Sequence, residues 1–148
     1  MTPSENSEGQ LSRRQAAIVY ADVANYSGLC AVDEDGTHRR LEQYLNVFAA
    51  SVEKHGGRIH HYAGDAILAT FESSGTAVAC SIAIQKELLQ LNESITPARW
   101  VEFRIGINEG DVIPSRGDVY GENVNIAARL EGLCTPGGIC ISGASGMD

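Results

Sequence analysis

The chain has 148 residues, of which 43% are apolar, 6% aromatic and 20% charged, enough for one globular core and too little for two domains or a disordered tail. Its 19 acidic side chains exceed the 11 basic ones and give a formal net charge of -8, which excludes a broad basic surface for gripping a nucleic-acid backbone or an anionic membrane. If such a protein handles phosphates, it must do so locally and through cations.

Residues 1–13 are polar and are expected to form a flexible N-terminal segment, with no apolar stretch of the kind a secretory signal needs. Residues 16–21 (AAIVYA) read as a central strand that stops at Asp22, and this longest apolar run is far too short to cross a bilayer. A turn-rich stretch follows, ending in Asp33, Glu34, Asp35 and Gly36. It lacks the later ligands of a calcium loop and reads as the lead-in to a helix. In that helix Leu41, Tyr44, Leu45, Phe48 and Val52 recur at helical spacing, and Gly56 and Gly57 mark its end. Residues 58–62 and 66–71 read as strands joined by a tight turn at Gly64 and Asp65. A long helix over about 76–91 should then turn Val78, Ile82 and Leu88 inward. After Pro97 comes a second strand pair, 101–108 and 111–113, and then a helix over about 122–133, packed through Val124, Ala128, Leu130 and Leu133. Pro136, Gly137 and Gly138 introduce a short strand at 139–142. This order predicts an α+β sandwich, a mostly antiparallel sheet with helices packed on one face. The four cysteines form no C-x-x-C pair and sit in apolar surroundings, which favours small buried hydrophobes over a disulfide framework or a zinc site.

Several polar residues stand where packing alone does not require them. Asp22 closes an apolar strand and Asp65 sits at a hairpin tip, so on neighbouring strands their carboxylates converge at one sheet edge. Two carboxylates held together repel unless a cation or proton intervenes, and paired hard oxygens suit Mg²⁺. The pattern leaves open that Asp22 caps a loop and Asp65 makes a turn. Asn125 and Arg129, four apart, share one helix face suited to a hydroxyl and a phosphate oxygen; a solvated arginine and a tolerated asparagine fit the pattern as well. Arg104, a charge in an apolar strand, must meet an anion. His60 and His61 should alternate across their strand, so that only one faces the side of Asp65.

Five blocks occur in order: residues 21–27 (ADVANYS), 57–69 (GRIHHYAGDAILA), 104–107 (RIGI), 118–130 (DVYGENVNIAARL) and 136–142 (PGGICIS). Together they closely resemble the class III nucleotidyl cyclases, above all the bacterial adenylate/guanylate cyclase catalytic domain. The likeness covers residues from about 14 to 142, with 14–148 as one cyclase domain. It implies a ferredoxin-like fold working as a head-to-tail homodimer, with ATP bound between subunits. It also implies that Asp22, Asp65 and the carbonyl of Val23 hold two Mg²⁺ or Mn²⁺ ions. Asn25, Tyr26 and Ser27 would lie at the terminal phosphates and Arg104 on the triphosphate. From the partner, Asp118 would accept a hydrogen bond from the adenine amine beside His61, while Asn125 orients the ribose and Arg129 stabilises the transition state. The implied reaction is attack of the 3′ hydroxyl of ATP on its own α-phosphorus, giving cyclic AMP and pyrophosphate in intracellular signalling.

The sequence departs from the family in three places. His61 stands where a lysine is common, Asn25 where a glycine is common, and the family's last helix and its hairpin with a phosphate-binding lysine have no counterpart before residue 148. The alternatives are a silent nucleotide-binding or dimerising module and a guanylate cyclase. The absence of signal and membrane patterns in the sequence leads to the expectation of a cytoplasmic domain.

Overall fold

The computed structural model describes residues 12–143, so nearly all of the expected flexible segment 1–13 lies outside the described residues, as do 144–148. Six strands and four helices follow one another as β1 (Arg14–Val23), α1 (Tyr26–Val32), α2 (Glu34–Lys54), β2 (Arg58–Ala63), β3 (Ala66–Phe71), α3 (Ser74–Asn92), β4 (Phe103–Ser115), β5 (Asp118–Tyr120), α4 (Glu122–Gly132) and β6 (Ile139–Ile141). The sheet order is β2-β3-β1-β4-β5, and β6 joins β4 as the one parallel pair. Strands β1 to β4 with the helices between them have the order and antiparallel pairing of a ferredoxin-like fold.

Strand β1 is central because both of its faces are apolar. Ala17, Val19, Ala21 and Val23 belong to a large core with Tyr44 and Phe48 of α2 and Cys80, Ile84 and Leu88 of α3. Ala16 and Ile18 belong to a second core with Leu68, Val112, Val119 and Ala127. An unbroken apolar run is what a strand covered on both sides requires. This corrects the expectation of helices on one face: α4 packs on the side opposite α2 and α3. Its backbone sits directly on the sheet at Gly106, where an added Cβ would come 2.4 Å from the Ala127 carbonyl oxygen and 2.5 Å from the Glu131 amide nitrogen. Glycine is required by that approach.

Four further expectations change. The strand pair at 101–108 and 111–113 is the single strand β4, because Glu109, Gly110 and Asp111 are held extended against Ala17, Ala16 and Gln15. The true partner is the short β5, turned at Arg116 and Gly117. The turn-rich stretch before residue 33 contains α1, seven residues that are too few for a periodic signal. Ile82 is exposed, the buried stripe of α3 being Ala77, Cys80, Ser81, Ile84 and Leu88, and Leu133 is 79% exposed, while Ala127 and Glu131 are the buried residues of α4. Asp33 does lead into α2, its side chain accepting from the Gly36 amide at 3.0 Å. All four cysteines are free, Cys80 and Cys134 buried.

Candidate active site

Backbone pairing brings the two candidate metal carboxylates to one place. Ala21 of β1 lies opposite Ile67 of β3, so the turn holding Asp65 falls beside the end of β1, and Asp65 Oδ2 accepts from the Val23 amide at 3.0 Å. Asp22 itself lies opposite Arg104 of β4. Arg104 Nη2 donates to both oxygens of Asp22, at 3.0 and 3.2 Å, and its Nε donates to Oδ1 at 3.2 Å. The arginine therefore finds the anion its apolar strand demanded.

A third carboxyl group closes the cluster. Glu131 of α4 is 4% exposed, and its Oε2 lies 3.1 Å from Arg104 Nη2 without the alignment of a hydrogen bond, so that oxygen has no hydrogen-bond partner. Burial, then a hydrogen bond and charge from Asp22, push the Glu131 pKa up to about 8, with Arg104 pulling the other way and Asp65 adding to the rise. Tyr20 is raised as well, by burial first and then by Glu131, Asp22 and Asp65. Negative potential thus concentrates at this end of β1. Among the described residues no group of three or more His, Cys, Asp or Glu side chains is placed to hold a metal. What the site offers is two carboxylates with the Val23 carbonyl in the chain beside them. That hard-oxygen set fits Mg²⁺ or Mn²⁺ when substrate phosphates complete the coordination, the usual manner in which Mg²⁺ is held.

The segment expected at the terminal phosphates begins where β1 ends. Asn25 has φ 55° and ψ 46°, a left-handed conformation that asparagine tolerates best after glycine, and α1 starts at the next residue. Its side chain lies over Gly28, where an added Cβ would come 2.4 Å from the Asn25 amide nitrogen. Tyr26 and Ser27 thereby occupy the first turn of α1, whose N–H groups have no carbonyl partner within the helix.

His61 and Asp118 meet from opposite edges of the sheet. His61 Nδ1 lies 3.0 and 2.9 Å from the two oxygens of Asp118, and Asp118 Oδ1 also accepts from the Val119 amide at 2.8 Å. The expected alternation of His60 and His61 fails because β2 carries a bulge between Ile59 and His61, which pair with the adjacent residues Ala69 and Leu68. The extra residue is His60, and a bulge re-aims side chains. His60 reaches the same turn as its neighbour, with Nδ1 2.7 Å from the Gly117 carbonyl oxygen and Nε2 2.7 Å from Thr70 Oγ1. Burial lowers the His60 pKa, with the Gly117 bond opposing the shift. The two histidines fasten β2 to β5 and curl the sheet around α4. The sequence pattern singled out His60 without its partners and did not single out Glu131. Glu131 carries no signal beyond its place one turn after Ala127 on a buried helix face.

Asn125 and Arg129 lie on the exposed side of α4. Arg129 Nη2 bonds Glu122 Oε1 at 3.0 Å across the surface of the same helix. Within one chain, then, this pair is not assembled with Asp22 and Asp65.

Comparison with known proteins agrees with this geometry. A protein from Rhizobium meliloti described as a putative adenylate cyclase is 38% identical over 133 residues, covering 89% of this chain and 23% of its own length. The chain spans about a quarter to a third of the length of the adenylate cyclases it matches. Among solved structures, an adenylate/guanylate cyclase/hydrolase from Silicibacter pomeroyi superposes with a TM-score of 0.85 at 35% identity, covering 92% of this chain and 79% of that one. The guanylyl cyclase Cya2 superposes with a TM-score of 0.80 at 28% identity, covering 98% and 79%. The family model for the adenylate and guanylate cyclase catalytic domain matches residues 10–146, and the chain belongs to that family.

Proposed function

We propose that this domain converts ATP to cyclic AMP and pyrophosphate at sites shared by two copies of the chain, as the catalytic unit of an intracellular signalling protein. The observation that carries the reading is the convergence of Asp22, Asp65 and Arg104 at the end of β1, with the asparagine and arginine of α4 presented outward in the same chain. In a head-to-tail homodimer the exposed face of α4 from one subunit meets the carboxylates of the other.

Each residue then has a task. Asp22, Asp65 and the Val23 carbonyl would hold two Mg²⁺ or Mn²⁺ ions, which when bound would neutralise charge on the phosphate oxygens and acidify the 3′ hydroxyl. Asn25, Tyr26 and Ser27 present backbone amides to the terminal phosphates. Arg104, now on Asp22, swings its side chain to pair with the triphosphate, while Glu131 beside it keeps the guanidinium within reach. The partner's face meets the edge of the adenine with the His61–Asp118 pair, orients the ribose through Asn125 and sets Arg129 against the charge building at the α-phosphorus. The 3′ oxygen bonds to that phosphorus, its proton passes to water, and the bond to the leaving pyrophosphate oxygen breaks. No side chain forms a covalent intermediate. The closely placed donors of a Ser-His-Asp or Cys-His set are not needed for such a displacement.

The direct test is incubation of the chain with Mn-ATP and chromatography of the products. Cyclic AMP and pyrophosphate are expected in equal amounts, and Asp65→Ala should lower the rate by a factor of about 100 or more. Turnover that survives this substitution overturns the assignment of Asp65.

A further inference from the structure

Cys134 and Cys140 stand side by side, although neither has a task in the site described above. Cys134 follows the last turn of α4, its amide donating to the Glu131 carbonyl at 3.0 Å. The chain then reverses through Thr135, Pro136, Gly137 and Gly138, where the Gly138 amide donates to the Thr135 carbonyl at 2.9 Å and Gly137 has φ 77°. Proline followed by a glycine of positive φ is the composition of a type II turn. The turn lays β6 in parallel register on β4, with Cys140 opposite Gly106. Gly106 is where the backbone of α4 presses on the sheet, so Cys140, in register with it, faces the same helix end. There its thiol is a hydrogen-bonding neighbour of the Cys134 thiol, whose sulfur lies 3.3 Å from the position a Cβ on Gly138 would take.

Both thiols are free, and they differ in access: Cys134 is buried and Cys140 is partly exposed. Burial raises the Cys134 pKa, a bond with the Ile105 backbone opposes the rise, and Cys140 and Glu131 add to it. A covered, neutral thiol is a poor first nucleophile, but it is well placed to resolve a neighbouring sulfur that has been oxidised. Among the described residues no group of three or more His, Cys, Asp or Glu side chains could hold a metal, which leaves the pair short of a zinc site.

We propose that Cys134 and Cys140 form a reversible, peroxide-sensitive disulfide that fastens the end of α4 to β6. Cys140, the accessible sulfur, attacks hydrogen peroxide; the O–O bond breaks, giving a sulfenic acid on Cys140 and one water. The Cys134 sulfur then bonds to the Cys140 sulfur, and its proton leaves with the displaced hydroxyl as a second water. The two thiols lose two electrons and the peroxide gains them. A dithiol reductant reverses the step by thiol–disulfide exchange. The same helix carries Asn125 and Arg129, so the bond restrains the element that presents them.

The test treats the whole chain with hydrogen peroxide, blocks remaining thiols with N-ethylmaleimide, and reads the digested peptides by mass spectrometry with and without dithiothreitol. The expected product is a peptide holding Cys134 and Cys140 that is lighter by two hydrogens, takes no maleimide, and takes two after reduction. Cys30→Ser, which removes the other partly exposed cysteine, should form the same bond. In Cys134→Ser the sulfenic acid on Cys140 should persist and be trapped by dimedone. Cys140→Ser, at a partly exposed position that tolerates a hydroxyl, should fold and leave Cys134 reduced. Amide hydrogen exchange in the last turn of α4 should slow by about threefold or more when the unmutated chain is oxidised, and should not change in Cys140→Ser. If Cys134 and Cys140 both stay open to maleimide after peroxide, or if Cys140 bonds only to a second chain, the pairing is overturned. A bond that forms while exchange in α4 stays the same overturns the fastening. Neither readout uses a nucleotide, so a chain that forms the bond but no cyclic AMP fails the cyclase reading alone.

Discussion

Glu131 shows how much of this site is decided by single groups. It is a buried carboxyl beside two others, and what keeps it inside is partial compensation by Arg104 at 3.1 Å. Its pKa lies at about 8 in the fold against 4.5 in an unfolded chain, because burial and Asp22 disfavour the anion. An acid raised on folding binds its proton more tightly in the native state, so stability is lost as pH rises between those two values and levels off beyond the upper one. Chemical unfolding in EDTA, which keeps ions off Asp22 and Asp65, should therefore show the chain weakening between about pH 5 and about pH 8. Glu131→Gln has no proton to lose and should gain on the parent across that window by on the order of 3 kcal/mol. Parallel stability curves for the two would mean that Glu131 is ionised throughout. Asp22 and Arg104 were legible as residues needing partners, since a charge ending or interrupting an apolar strand is costly when alone. Glu131 was not, because an acidic residue on an amphipathic helix reads as solvated until the opposite strand is known.

Among the elements, α4 and β4 carry the most consequence. Their contact depends on Gly106, where the helix backbone meets the strand with no side chain between them. Gly106→Ala places a methyl 2.4 Å from the Ala127 carbonyl oxygen and 2.5 Å from the Glu131 amide nitrogen, both backbone atoms with little freedom to yield. Overpacking of this kind costs about 1–3 kcal/mol, and rigid backbone puts this case at about 2 kcal/mol or more. Urea denaturation gives the loss directly, and cyclase activity should fall further than stability because Asn125 and Arg129 ride on the displaced helix. A loss below about 0.5 kcal/mol would show that α4 slides freely on the sheet. The periodic elements were readable from sequence, as α2 and the β2–β3 hairpin show. The failures have physical causes. Glu109, Gly110 and Asp111 have turn chemistry but are held straight by pairing with β1, a long-range contact that no local pattern contains. The bulge at His60 inserts one residue into β2, and a period-two reading cannot register it.

At the scale of the whole molecule, the arrangement of one chain sets a requirement on two. Asp22 and Asp65 stand at the end of β1, whereas Asn125 and Arg129 look outward from α4, with Arg129 on Glu122 rather than on either carboxylate. If the reaction needs both sets, each site takes its carboxylates from one subunit and its α4 residues from the other. Closed two-fold symmetry then gives a dimer two such sites. Asp65→Asn and Asn125→Ala should each be nearly inactive alone, because every site of either homodimer lacks one half. Mixed under conditions that allow subunits to exchange, half of the dimers become hybrids, and each hybrid holds one site with both halves intact and one with neither. Activity should return to about a quarter of the unmutated level at equal total protein. Subunit exchange is followed independently by mass spectrometry of the mixed dimers. Hybrids that form and stay silent would place both sets of residues in a single subunit's site and overturn the shared arrangement, whereas a return near one quarter assigns the carboxylates and the α4 face to opposite sides of the same cleft.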